Sequence, residues 1–250
     1  MSTSLTALVL AAGRGTRMGA LTASTPKPLL ALQGRPILEH ILRGLASAGV
    51  ERAVVITGYL ADAIESHFGA GEDIGIRLVY RRQAAASGTA KAVLLARDLI
   101  GDAPFVLSWG DILVEPGAYA DLVADFRSRP CAALLGINEV DDPWRGAAVY
   151  TDGDTVTRVV EKPPPGTSTT RWNNAGVFVL SPVVFDYAER LEPSPRGEYE
   201  LPQAFAAMIA DGLPVRAHRI LGFWSDVGTP EDLDAAQTTF PSALPPLSHG

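Results

Sequence analysis

Between Leu8 and Leu30 the chain places Gly13, Gly15 and Gly19 directly after an apolar run, with Arg14 and Arg17 among them. Lys27 follows ten residues after Arg17, set between Pro26 and Pro28. Glycines let backbone N–H groups close around an anion, and the three cations add full positive charge. The chemistry this suits is the cradling of nucleotide phosphates. A P-loop would need Gly-x-x-x-x-Gly-Lys-Ser/Thr, and no Lys-Ser or Lys-Thr follows these glycines. A dinucleotide fingerprint would need Gly-x-Gly-x-x-Gly; Gly19 comes one residue late, and the next strand ends Ile56-Thr57-Gly58 with no acid to hold a ribose. Far along the chain, Asp111 and Asp226 each follow an apolar run. Carboxylates at the carboxyl ends of strands are natural Mg²⁺ ligands, and two of them can clamp one ion among phosphates. Taken alone, the Asp111 segment reads equally as a turn, and Asp226 ahead of Gly228-Thr229-Pro230 as part of a helix start.

These groups need rigid elements behind them. Leu5–Leu10, Ala53–Thr57, Arg77–Tyr80, Pro104–Ser108 and Ala132–Ile137 read as buried strands. Helical spacing predicts helices over Ile37–Ala48, Tyr59–Phe68, Thr89–Ile100 and Ala118–Ser128, with Pro36 suiting the first turn and Gly49 the stop of the first. Strands alternating with helices imply parallel pairing through right-handed crossovers, hence an open doubly wound α/β sheet with its ligand at the strands' carboxyl ends. The pattern then changes. Ala147–Tyr150 and Thr155–Glu161 form a hairpin turning at Asp152-Gly153-Asp154. Strands at Val177–Leu180, Val215–Ile220 and Phe223–Asp226, and helices at Val183–Leu191, Pro202–Ala210 and Pro230–Thr239, are expected to complete the sheet and wall a sugar-sized pocket.

At 250 residues the chain is long enough to bury a substantial core. Its net charge of −7, with both signs interleaved, argues against nucleic-acid or basic membrane binding. Met1–Thr6 lacks the positive stretch of a signal peptide, and no apolar run is long enough to span a bilayer. One cysteine, Cys131, cannot form an internal disulfide and reads as a small core residue; the expected compartment is the cytoplasm. His40, His67, His218 and His249 show no metal-ligand spacing. Trp144 and Trp172 offer rings that can stack on a sugar, with packing the safer reading for both. Helix surfaces carry no decisive apolar stripe, so a homo-oligomer stays open.

The order of motifs resembles the sugar-1-phosphate nucleotidyltransferases in their short form, the catalytic domain alone. Gly13-Arg14-Gly15-Thr16-Arg17 followed by Pro26-Lys27-Pro28-Leu29 is similar to the family signature, with Ala20 where members often carry Pro. Gln83 with Gly88-Thr89, Gly110-Asp111, Glu161-Lys162-Pro163, Asn174-Ala175-Gly176 and Trp224–Thr229 resemble its other elements in order and spacing. The resemblance implies a three-layer, Rossmann-like, mixed and mostly parallel sheet with a small sugar-binding subregion. It makes residues 1–240 one domain, with 1–137 mainly nucleotide-binding and 138–240 mainly sugar-binding, followed by a loose tail at 241–250. It implies attack of a sugar-1-phosphate on the α-phosphorus of an NTP, releasing pyrophosphate. On that reading Arg17, Lys27 and Asp111 are catalytic, and Asp111 and Asp226 hold Mg²⁺. Leu10, Ala11, Ala12, Gly13, Arg14, Gly15, Thr16, Gln83, Gly88 and Thr89 bind the nucleotide. Gly146, Glu161, Lys162 and Asn174 bind the sugar phosphate, with Asn173, Glu198 and Glu200 nearby as ordinary turn and helix-start residues. Gln83 can pair with the donor–acceptor edge of uracil or thymine, which favours UTP or dTTP. Cytidylyl or guanylyl transfer to a sugar, cyclitol or phosphonate is the alternative. A non-catalytic regulatory subunit would have lost Arg17, Lys27, Asp111, Lys162 and Asp226, and all are present.

Overall fold

A computed structural model of the protein describes residues 5–241; the expected tail, apart from residue 241, lies outside them. In chain order the elements are β1 (Thr6–Ala11), β2 (Ala31–Leu32), β3 (Arg35–Pro36), α1 (Ile37–Ser47), β4 (Arg52–Thr57), α2 (Ala61–Phe68) and β5 (Arg77–Arg82). They continue with α3 (Thr89–Leu94), α4 (Arg97–Ile100), β6 (Phe105–Trp109), β7 (Ile112–Val114), α5 (Ala118–Ser128), β8 (Ala133–Glu139) and β9 (Ala147–Asp152). The last are β10 (Thr155–Glu161), β11 (Trp172–Leu180), α6 (Val183–Glu189), α7 (Leu201–Ala210), β12 (Val215–Arg219), β13 (Trp224–Asp226) and α8 (Pro230–Thr239). The fold is α/β and Rossmann-like. The chain divides into two compact units that interleave along the sequence: residues 1–86, 108–121 and 221–250 form the first, and 87–107 and 122–220 the second.

The first unit is built on parallel strands. β1 pairs with β4 from Thr6↔Arg52 to Ala11↔Thr57, and β4 with β5 from Arg52↔Arg77 to Thr57↔Arg82. The strand order runs β5-β4-β1-β6, with the end of β6 in this unit. Successive strands therefore step one way from β1 to β5, and the next strand lies on β1's other side. That reversal is the topological switch point, where open α/β sheets bind ligands. α1 covers the core with Ile37, Leu38, Ile41, Leu42 and Leu45, each at most 1% exposed. These are the apolar positions whose spacing predicts the helix.

The second unit is mixed. β8 pairs antiparallel with β11 and parallel with β12; β10 pairs antiparallel with β12 and β9. Its core centres on Phe105, Phe178, Phe185 and Phe205, with Phe105 and Phe185 stacked at 5.3 Å. The helix expected over Thr89–Ile100 is two. Bonds of the i→i−3 kind at Leu95 and Ala96 end α3 before Arg97 starts α4, and no glycine or proline announces the break. The strand expected at Val177–Leu180 begins five residues earlier, at Trp172. Of the two late strands expected to complete the sheet, β12 joins it beside β8; β13 instead forms a separate two-stranded ribbon with β7 in the first unit.

A charge network secures the second unit. Arg216 donates from Nη2 to Asp125 at 2.8 Å and to Asp154 at 3.2 Å, and His218 Nδ1 sits 2.9 Å from Asp125. Burial pushes the Asp125 carboxyl up, but hydrogen bonds and charge from Arg216 and His218 outweigh it and hold the pKa below its ordinary value. A depressed carboxylate adds stability above the unfolded-state pKa and loses it as pH falls through the folded one. Asp125→Asn should therefore cost roughly 2 kcal/mol in urea unfolding at neutral pH, the worth of a charged hydrogen bond. The gap from wild type should close below about pH 3.9.

Candidate active site

In the first unit the loop expected to hold phosphates grows out of β1. Its packing against neighbouring strand ends requires small residues. A Cβ at Gly58 would lie 2.7 Å from the Ala12 carbonyl oxygen, and one at Gly110 2.7 Å from that of Leu10, which accepts the Gly110 N–H at 2.9 Å. Gly15 is left-handed at φ +64°, and its carbonyl ties the loop back through Met18 N–H at 2.9 Å and Thr22 Oγ1 at 3.0 Å. A side chain there would meet Lys27 Cβ at 3.1 Å. Gly13, Arg14, Thr16 and Arg17 are exposed, Leu10 and Ala12 partly so, and Ala11 is buried. The Arg14 guanidinium lies 5.1 Å from the ring centre of Tyr59, whose hydroxyl reaches the Thr22 and Ala23 carbonyls at 3.1 and 3.0 Å. Gln83 follows β5, and its N–H donates to the Thr57 carbonyl at 2.8 Å.

Lys27 is buried at 6% exposure, and its Nζ lies 2.7 Å from Asp111 Oδ2. Asp111 and Asp226 sit at one end of the β7/β13 ribbon. Asp226 opposes Ile112, and the Val227 N–H donates to the Asp111 carbonyl at 3.0 Å. The Asp226 pKa is raised to about 6, by burial first and by the Asp111 charge second, against Lys27 and Arg17, which lower it. The Arg17 guanidinium lies against Gly228, where a Cβ would be 3.0 Å from Nη1. Asp226 does not cap α8: Thr229 and Asp232 do so in a reciprocal capping box. A buried carboxylate whose ionisation a neighbouring carboxylate opposes suits a divalent cation with hard oxygen preferences. Among the described residues no three His, Cys, Asp or Glu side chains converge on a metal position. Such an ion would then take its remaining oxygens from phosphates and water.

The second unit carries the remaining expected residues. Gly88 has φ +101°, and Thr89 Oγ1 accepts the Leu201 N–H at 2.9 Å. Tyr199 brackets this turn: its N–H donates to the Ser87 carbonyl at 3.0 Å, and its carbonyl accepts from Ala90 N–H at 2.9 Å. The Gly146 carbonyl accepts the Lys162 N–H at 2.8 Å, and a Cβ on Gly146 would lie 2.2 Å from Asn173 Oδ1. Lys162 holds an uncommon left-handed φ of +41°. Burial pushes the Glu161 carboxyl up, although Lys162 and Arg196 pull it down. Asn174–Gly176 lies inside β11, at a shift in register against β8 between Asn174 and Phe178. Asn174 Oδ1 accepts the Gly176 N–H at 3.0 Å, while its buried Nδ2 finds no protein acceptor. Asn173 is structural, donating to Asn138 Oδ1 at 3.0 Å.

Arg196 and Tyr199 are absent from the sequence expectations. Arg196 pairs with buried Glu200 and lies 3.4 Å from Glu161. Residues 196–200 lie outside any helix, so their i,i+4 spacing is no signal of the pair. Glu200 precedes α7 but makes no side-chain cap. Trp172 packs under Arg219 at 5.0 Å, and Trp144 is 42% exposed beside Arg145.

Comparison with known proteins decides the family, since a nucleotidyl transferase family model matches residues 6–242. The chain belongs to the nucleotidyl transferase family. It is 36% identical over 230 residues to the low-salt glycan biosynthesis nucleotidyltransferase Agl11 of Haloferax volcanii, covering 90% of this chain and 63% of that one. It is 35% identical to the UTP–glucose-1-phosphate uridylyltransferase AglF of the same organism, covering 92% and 94%. The match to the glucose-1-phosphate thymidylyltransferase of Streptomyces antibioticus is 33%, over 98% of this chain and 68% of the relative. A solved Bacillus anthracis structure, described as a glucose-1-phosphate thymidylyltransferase in complex with sucrose, superposes with a TM-score of 0.85 at 27% identity and 94% coverage of both chains. A UDP-glucose pyrophosphorylase shares the fold at a TM-score of 0.84 and 21% identity. This nucleotidyltransferase thus has sugar-1-phosphate nucleotidyltransferases as relatives over nearly its whole length. No helix among its described residues is long and apolar enough to cross a membrane.

Proposed function

We propose that residues 1–240 act as one catalytic domain that transfers a nucleotidyl group from UTP or dTTP to a sugar-1-phosphate, with Mg²⁺, in the cytoplasm. The observation that carries this reading is the placing of Asp111 and Asp226 at one ribbon end, with Lys27 on Asp111 and the Arg17 charge acting on Asp226. The reaction joins an anion to a polyanion, so charge neutralisation and positioning supply most of the catalysis. A bound Mg²⁺ would neutralise phosphate charge and orient both reactants.

Arg17 grips two oxygens of the leaving pyrophosphate, as a planar guanidinium can. Lys27 is stiffened by its flanking prolines and shifts between Asp111 and the α-phosphate. Gly13–Thr16 offer backbone N–H groups to the triphosphate, with Leu10–Ala12 beneath the nucleoside and Arg14 covering the phosphates. Gln83, Gly88 and Thr89 read the base. Lys162 takes the sugar phosphate, Glu161 the sugar hydroxyls, and the orphan Asn174 Nδ2 a hydroxyl oxygen; Gly146 fixes Lys162 through its N–H.

Pyrophosphate release from the four ribonucleoside triphosphates and dTTP, against a panel of sugar-1-phosphates with Mg²⁺, tests this. UTP or dTTP should turn over at least tenfold faster than GTP, the discrimination a paired base edge gives. Release with no pair would overturn the enzymatic reading, and turnover with GTP alone would overturn the role given to Gln83.

A further inference from the structure

The ribbon that carries Asp111 and Asp226 is closed at its other end by a side chain. Residues directly opposed in antiparallel strands exchange two backbone hydrogen bonds at every second pair. Beyond the last registered pair, Val114↔Trp224, Glu115 meets Phe223. The Glu115 N–H donates to the Phe223 carbonyl at 2.7 Å. The reciprocal bond would need the Glu115 carbonyl, which bonds the Ala118 N–H instead, at 2.9 Å, where α5 begins. The Phe223 N–H donates instead to Glu115 Oε2 at 3.1 Å. Gly222 makes the approach possible, with φ +80° and room for no side chain without a contact of 3.0 Å to the same oxygen.

We propose that Glu115 is a positioning residue for the cation site formed by Asp111 and Asp226. Its carboxylate replaces the diverted backbone acceptor and fixes the register of β7 against β13. Only three residues pair on each strand, so one further rung is a large part of what specifies that register. A slip by one residue would turn each strand's side chains to the opposite face and separate the two aspartates. The aspartates sit at one end of the ribbon and the Glu115 rung at the other, so Glu115 acts through the strands and touches neither substrate nor ion. This inference rests on the cation reading of Asp111 and Asp226 proposed above.

The test compares Glu115→Ala and Glu115→Gln with wild type, using Mn²⁺ as the ion and UTP without acceptor. The readouts are Mn²⁺ binding by electron paramagnetic resonance, amide hydrogen exchange over Phe223–Val227, and the Mg²⁺ dependence of turnover. Glu115→Ala should keep its far-ultraviolet circular dichroism. It should bind Mn²⁺ about tenfold more weakly, as loss of an outer supporting contact does, and need correspondingly more Mg²⁺ for half-maximal rate. Its Val227 amide should exchange faster. Glu115→Gln retains an acceptor oxygen and should stay near wild type in all three. Unchanged Mn²⁺ affinity and exchange in Glu115→Ala would overturn the proposal, as would a Gln variant as impaired as Ala. If wild type itself bound no Mn²⁺, the cation reading would fail, while the exchange comparison would still judge the register lock.

Discussion

Asp226→Ala and Asp111→Ala should each lower the rate of pyrophosphate release by about 10³ or more, a loss of roughly 4 kcal/mol in transition-state stabilisation. The expectation comes from the division of labour at the ribbon end. Lys27 already occupies one oxygen of Asp111, and among the described residues no third His, Cys, Asp or Glu joins the two aspartates at a metal position. Removing Asp226 leaves Asp111 tied to Lys27, and removing Asp111 takes from Asp226 the carboxylate at its end of the ribbon. The isosteric Asp226→Asn separates chemistry from folding. Burial and the Asp111 charge both oppose ionisation of Asp226, so a neutral amide there should melt no lower than wild type in metal-free solution. An inactive yet undiminished Asn variant supports the assignment. Normal turnover by either alanine variant would remove that residue from the cation site.

Gly88→Ala should lower kcat/KM for the nucleotide by about 10², through a geometry that no rotamer can relieve. A Cβ there would lie 2.4 Å from the Tyr199 carbonyl oxygen and 2.6 Å from its nitrogen, against backbone and not a movable side chain. The backbone at φ +101° adds a cost that only glycine avoids. The turn must then leave Tyr199, giving up the Ser87 and Ala90 hydrogen bonds. Steady-state kinetics should place the loss mainly in the KM for UTP or dTTP, with circular dichroism near wild type. An unchanged nucleotide KM would show that this turn does not read the base.

The two sites of prediction differ in how far the sequence exposes them. The loop after β1 is legible because most of its features are local: left-handed glycines and cations lie within one stretch, from Leu8 to Leu30, and only the close approaches at Gly58 and Gly110 come from elsewhere. The parallel strands and α1 are equally plain, since periodic burial writes itself into spacing. The β7/β13 ribbon is not. Phe223–Asp226 has the composition of a sheet strand, and what sends it elsewhere is a turn at Gly222 and a partner more than a hundred residues away in sequence. Pairing partners leave no mark on a short strand's own residues. The early start of β11 is hidden for a related reason, because an irregularity inside a long strand, with glycine at 176, looks like the strand's beginning. The split between α3 and α4 has no breaker residue and reflects tertiary packing overriding propensity. Arg196 and Tyr199 act through backbone groups and a charge pair, which residue type alone does not advertise.

Tyr199 also bears on how nucleotide preference can be re-engineered. Its peptide groups straddle Gly88, and the residues just before it, Arg196 to Glu198, lead back toward Glu161. The turn proposed to read the base is therefore not a cassette that can be cut out between residues 83 and 90. A chimera that imports a relative's turn while keeping the native 194–201 segment would mismatch the two backbones. Swapping both segments together preserves the bracket, and the smallest exchangeable module is thus discontinuous in sequence.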